Sequence, residues 1–299
     1  MIENEIQFHL AAVQGSLPLI QTFTQGPNKV PTDCIDEDGT TALILAAANN
    51  HLEVVKELLN HNANVNLRRR TGTTALFFAS QNGHLPIVQE LLSKGADIEL
   101  PSNEGGTPLF VACQCNHLNV VKELVQRNAN IHARMRDGSC PLFVSAQNGH
   151  LSIVKFLLSK GANVNQQRVD QASPLWIAAQ EGHLPVAKEL LQARATVDLA
   201  RQDGGTALFK AAHKGHLDMV TELISHGATQ ELLKNGESAL HAASLFGHTS
   251  IVKKLVEAGS DHHLQNKDGL TPLDLAKQAD HEETLAYLSS ARKSYSTTV

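Results

Sequence analysis

The chain has 299 residues, 42% hydrophobic and 18% charged, with a formal net charge of −5 at neutral pH. This slightly acidic balance offers nothing in bulk to nucleic acid or an anionic membrane. Its longest strongly apolar run, ALILAAA at residues 42–48, is far too short to cross a bilayer.

The opening MIENEIQF has no basic stretch followed by an apolar one, so no secretory signal is read. No Asn-x-Ser/Thr sequon occurs, and Cys34, Cys113, Cys115 and Cys140 lack metal-ligand spacing. These features lead to the expectation of an intracellular, cytoplasmic chain with reduced thiols, the nucleus being the alternative. Length alone suggests about two domains, but an internal period replaces that expectation.

Residues 1–35, with FHLAAVQGSLPLI, read as an atypical capping helix pair. From residue 36 a regular unit begins. His51, His84, His117, His150, His183, His216, His248 and His281 recur at spacings of 33, with one of 32. Half of the sixteen histidines therefore belong to one repeat, which argues against a metal site, because repeat-equivalent side chains stand apart along a stack. A local hydrogen bond at each helix junction is the expected role.

In each unit a hydroxyl comes first: Thr41, Thr74, Thr107, Ser173, Thr206, Ser238 or Thr271, with Cys140 the exception. A hydroxyl before Pro or Ala and then Leu reads as a helix N-cap. The first helix should end before the periodic His, where only Gly, Asn or Asp occurs. A second amphipathic helix follows, as in HLEVVKELL at 51–59. Most units close with Gly-Ala or Asn-Ala, and an extended finger leads to a turn glycine.

The seven full repeats are 36–68, 69–101, 102–134, 135–167, 168–200, 201–232 and 233–265. The repeat at 168–200 is irregular: Gln171 replaces the turn glycine and Arg194 stands where Gly or Asn is usual. It is expected to be either the weakest link of the stack or close to the binding centre. Residues 266–289 read as a C-terminal cap whose Glu282 and Glu283 supply the polar outer face that end repeats need, and 290–299 as a flexible tail.

The period of 33, with its Thr-Pro-Leu, Ala-Ala, Gly-His and Gly-Ala columns, resembles the ankyrin repeat across nearly the whole chain. The resemblance implies an all-α solenoid, an ankyrin repeat stack of about nine repeats including caps. It also implies a monomeric, non-enzymatic scaffold or adaptor that binds another protein. It carries no catalytic residue, cofactor, metal or small-molecule substrate. Where ankyrin repeats usually place His after Thr-Pro-Leu, five consecutive repeats here have Phe77, Phe110, Phe143, Trp176 and Phe209. This column is read as core rather than as an exposed recognition stripe.

The resemblance places the binding surface on the concave side, made of fingers and first helices. The expected protein-binding residues there are Arg69, Arg70, Gln81, Asn82, Gln114, Arg136, Gln147, Asn148, Arg168, Gln180, Glu181, Arg201, His213 and Lys214. Amides can bond a peptide backbone and arginines can clamp carboxylates, so the expected partner is an extended polar segment with acidic groups. Membrane and nucleic acid are not expected partners. The alternatives are a nucleic-acid-associated regulator, or an adaptor whose Thr297 and Val299 serve as a PDZ ligand.

Overall fold

A computed structural model describes residues 3–27, 29–230, 232–234 and 236–295. They form two compact parts, divided between Arg136 and Asp137. In the first part α1 (Glu3–Gln14) and α2 (Leu17–Gln25) form the cap. The pairs α3 (Ala42–Ala48) and α4 (Leu52–Asn60), α5 (Ala75–Gln81) and α6 (Leu85–Ser93), and α7 (Pro108–Gln114) and α8 (Leu118–Gln126) follow. The second part holds α9 (Pro141–Gln147) and α10 (Leu151–Ser159), α11 (Pro174–Glu181) and α12 (Leu184–Gln192), and α13 (Ala207–Lys214) and α14 (Leu217–Ser225). It ends with α15 (Ala239–Leu245) and α16 (Thr249–Glu257), then α17 (Pro272–Gln278) and α18 (Glu282–Tyr295). No strand occurs among the described residues. The last helix runs past residue 289, where the tail was expected to begin.

Each part is a solenoid by its contacts. First helices pack on first helices of neighbouring repeats (α1 on α3, α3 on α5, α5 on α7; α9 on α11, α11 on α13, α13 on α15, α15 on α17), and second helices do likewise. The close approach rests on paired alanines: Ala46, Ala47, Ala178, Ala179, Ala211 and Ala212 are fully buried. A helix of seven or eight residues is unstable alone, so packing and capping must hold it.

Capping follows the sequence. Thr41, Thr74, Thr107, Ser173, Thr206, Ser238 and Thr271 each accept the backbone N–H three residues on, at 3.1–3.3 Å. Cys140 has the same extended backbone, φ −115° and ψ 168°, but makes no cap bond, since a thiol is a weak acceptor. Cys140→Thr is expected to raise stability by about 0.5–1 kcal/mol, read as a higher urea midpoint. An unchanged or lower midpoint would reject the assignment.

The junction residues take left-handed backbone as expected: Asn50, Asn116 and Asp280 have φ of 56–65°, and glycines occupy the other positions. Gln171 and Arg194 both lie at φ 65°. The irregular repeat thus keeps the fold's backbone with side chains that fit it poorly. The short spacing after Thr229 includes Glu231 and Asn235, which lie outside the described residues.

Two expectations change. Seven of the eight periodic histidines bond across repeats rather than locally. His51, His84, His117, His183, His216, His248 and His281 each use Nε2 on a carbonyl of the preceding repeat: Val13, Ala48, Gln81, Gln147, Gln180, His213 and Leu245, at 2.8–3.2 Å. They are rivets between repeats. The outer face of the first repeat is also partly apolar rather than polar. Leu19 is 45% exposed, whereas its counterparts Val54, Ile87, Val120, Ile153, Val186, Met219 and Ile251 are at most 2% exposed.

Candidate protein-binding surface

The geometry that fixes the first helices also positions the amides. Four of the seven carbonyls that receive the histidine rivets belong to expected groove residues: Gln81, Gln147, Gln180 and His213. The rivet anchors the backbone of the residue whose side chain faces outward.

In the second part, expected residues converge. Gln147, Arg168, Gln180 and Arg201 line a cleft of about 180 Å³ with Phe143, Asp170, Ala172, Trp176 and Ile177. Trp176 and Phe143 form its apolar floor, 5% and 1% exposed. Trp176 is thus a core residue, as its column suggested. Its indole N–H is buried without a hydrogen-bond partner. The column is less uniform than expected, because Phe77 and Phe209 are only half-buried.

The arginines do not stand out into solvent. Arg168 lies over the Phe143 ring at 5.3 Å and Arg201 over Trp176 at 5.1 Å. Both bond Asp170: Arg168 by two contacts at 3.0 and 3.1 Å, Arg201 by Nε at 3.1 Å. Arg201 also reaches Asp203 at 3.3 Å, and Arg168 reaches Asp137 at 3.6 Å. Burial disfavours the charge on Asp170. The Ala172 N–H, the Arg168 hydrogen bonds and the charges of Arg168 and Arg201 outweigh it, holding the carboxyl below its ordinary value. Most of the carboxylate-binding capacity foreseen for these arginines is therefore already used within the fingers. The signal was present in the sequence: an acid precedes the turn residue at Asp38, Asp137, Asp170 and Asp203.

The first part repeats this theme once. Arg69 bonds Asp38 at 3.2 Å and lies 5.7 Å over the Phe78 ring. Arg70 and Arg136 are exposed, their backbone N–H groups donating to the Asp38 and Glu104 carbonyls. Asn82 is exposed and donates its amide to the Ala48 carbonyl, Gln81 is half-buried and Gln114 is exposed. In the second part Asn148, Glu181 and Lys214 are exposed, and Gln180 donates to Glu181 at 2.8 Å. His213 is half-buried, its ring 4.4 Å from Phe246. Thr297 and Val299 lie outside the described residues, as does any statement on a PDZ ligand.

Among the described residues no group of His, Cys, Asp and Glu is arranged to hold a metal, and no helix is long and apolar enough to cross a membrane. Burial pushes the Cys34 thiol up to about 11, with Glu5 and Asp33 adding to the shift, so it is a poor nucleophile at neutral pH.

Stacked helix pairs with turn fingers and a polar-rimmed cleft define a solenoid repeat protein, a class built around extended binding surfaces. The chain belongs to the ankyrin-repeat family: the family described as "Ankyrin repeats (3 copies)" matches residues 8–102, 87–168, 175–266 and 228–298. Among individual proteins, it is 44% identical over 66 residues to the human "Ankyrin repeat domain-containing protein 29", 22% of each chain. The Danio rerio protein of that name is 46% identical over 59 residues, 20% of each. The Xenopus tropicalis "Notch-regulated ankyrin repeat-containing protein" is 36% identical over 58 residues, 19% of this chain and 51% of that one. The chain thus spans about a fifth of the length of the first two relatives and about half of the third.

Proposed function

We propose that this chain is a non-enzymatic intracellular scaffold that holds an extended polar segment of a partner protein, with acidic groups, on its finger and first-helix face. The cleft of Gln147, Gln180, Arg168 and Arg201 over Phe143 and Trp176 is the observation that carries this reading. Rigid aromatic surface beneath adaptable amides is the composition of a protein-binding patch. The arginines, already paired to Asp170, act chiefly by shaping the floor. The amides supply the donors and acceptors for a partner backbone. Arg69, Arg70, Gln81, Asn82, Gln114 and Arg136 offer the same chemistry in the first part, and Asn148, Glu181, His213 and Lys214 extend it in the second.

Proximity labelling in cells identifies the partner, and binding of the purified pair is then measured. Gln147→Ala with Gln180→Ala is expected to weaken affinity about tenfold while the melting midpoint holds, since each lost interfacial hydrogen bond is worth roughly 0.5–1.5 kcal/mol. Full affinity in that double variant would show that the surface has been misassigned.

A further inference from the structure

One residue on α13 breaks a column. The third position of the first helix's Leu-x-x core step is apolar in every other repeat: Leu10, Leu45, Phe78, Val111, Val144, Ile177, Ala242 and Leu275. In the repeat at 201–232 it is Lys210. The side chain is half-buried, and its ammonium lies 5.5 Å over the Trp176 ring, which Arg201 also covers. No hydrogen bond or ion pair holds the Lys210 ammonium among the described residues, whereas Arg168 and Arg201 each have carboxylate partners. Burial depresses the Lys210 ammonium pKa, Lys214 and Arg201 add to that effect, and Asp203 opposes it. A half-buried cation without a partner, beside two further cations, is costly to the free protein and is relieved by an incoming anion.

The next repeat adds an apolar shelf. Leu245 and Phe246, 37% and 46% exposed, stand where other full repeats mostly have Gln or Asn. The His213 ring, one turn from Lys210 on α13, sits 4.4 Å from Phe246 and joins the two features.

We infer that Lys210 and Lys214 seat a carboxylate of the partner segment, and that Leu245 and Phe246 receive an apolar side chain next to it. This rests on the proposed scaffold function and names the anchor chemistry for it. A carboxylate fits better than a phosphate, because Asp203, whose charge acts on Lys210, would oppose a doubly charged group. Lys210 is the specificity residue: an apolar residue in its place leaves the column intact and removes the seat.

The test uses the full chain and a fluorescein-labelled peptide of alternating glutamate and leucine in a serine–glycine frame, followed by fluorescence anisotropy. Wild type is expected to bind it more tightly than a peptide with glutamine for glutamate. Lys210→Ile should weaken glutamate-peptide binding about three- to fivefold at low salt and less at high salt. Its melting midpoint should be unchanged or higher, a pairing of effects that lost packing does not produce. Phe246→Ser should weaken binding of both peptides alike. Equal binding of the two peptides by wild type, or wild-type affinity in Lys210→Ile, overturns the inference. If the Gln147→Ala, Gln180→Ala variant weakens binding of the same peptide while Lys210→Ile does not, the groove stands and the carboxylate seat falls. If neither does, both fall.

Discussion

Trp176→Ala is expected to destabilise the fold by about 3–5 kcal/mol, the cost of deleting a large buried aromatic and leaving a cavity. The side chain is 5% exposed and packs in α11, whose first-helix neighbours are α9 and α13. Its ring is also the surface on which Arg201 and Lys210 lie, so both cations lose their platform. Two features limit the loss to the lower part of that range. The indole N–H has no partner to strand, and the site adjoins a cleft that water can enter. Trp176→Phe restores the residue type of the four other repeats in the aromatic column and should recover most of the stability. Urea denaturation of the three proteins measures both effects. A normal midpoint for Trp176→Ala combined with lost partner affinity would make Trp176 a contact residue and reverse its assignment to the core.

The sequence could announce what is encoded locally. A helix cap is a relation between Thr206 and the N–H of Phe209, three residues apart, so the hydroxyl column announces it. A junction that needs left-handed backbone restricts its own residue, hence Gly, Asn and Asp at one register. What lies between repeats was hidden. His117 and the Gln81 carbonyl are 36 residues apart, and nothing in the column of histidines names its acceptor. The Arg201 bond to Asp170, 31 residues away, is hidden for the same reason, whereas the Arg168 bond to Asp170 is two residues long and local. The finger arginines are less available than their number implies, because the acids that precede the turns pair with them. Lys210 breaks an apolar column, but its meaning depends on its burial and on its ammonium having no hydrogen-bond or ion-pair partner among the described residues.

Stability should also fall as the pH drops from 7 toward 5, and His241 should account for a measurable part of the loss. His241 occupies the aromatic column's position in its own repeat and is fully buried. Its Nδ1 faces the Ser238 hydroxyl at 2.8 Å and accepts the Ser238 backbone N–H at 3.2 Å, while Nε2 lies 3.2 Å from the Leu270 carbonyl. Burial lowers its pKa, and the hydrogen bonds to the Leu270 and Leu264 backbone only partly offset this. His9 and His213 are lowered as well, each chiefly by burial. A histidine whose folded pKa lies below its unfolded value of about 6.5 binds protons more readily when unfolded. The stability it contributes is complete above 6.5 and is lost as pH falls from there toward the folded pKa. Each such group gives a slope of at most about 1.4 kcal/mol per pH unit within that window. The lowered carboxyls of Asp36, Glu123 and Asp170 weaken the fold only further down, below the ordinary carboxylate value, so the two effects separate in pH. His241→Phe substitutes the ring that Phe143 places, 1% exposed, at the same register. Denaturant midpoints measured from pH 7.5 to 5 should show a shallower slope in this variant than in wild type, whatever its stability at neutral pH. Parallel slopes would mean that His241 takes up its proton equally in the folded and unfolded chain and contributes nothing to the pH dependence.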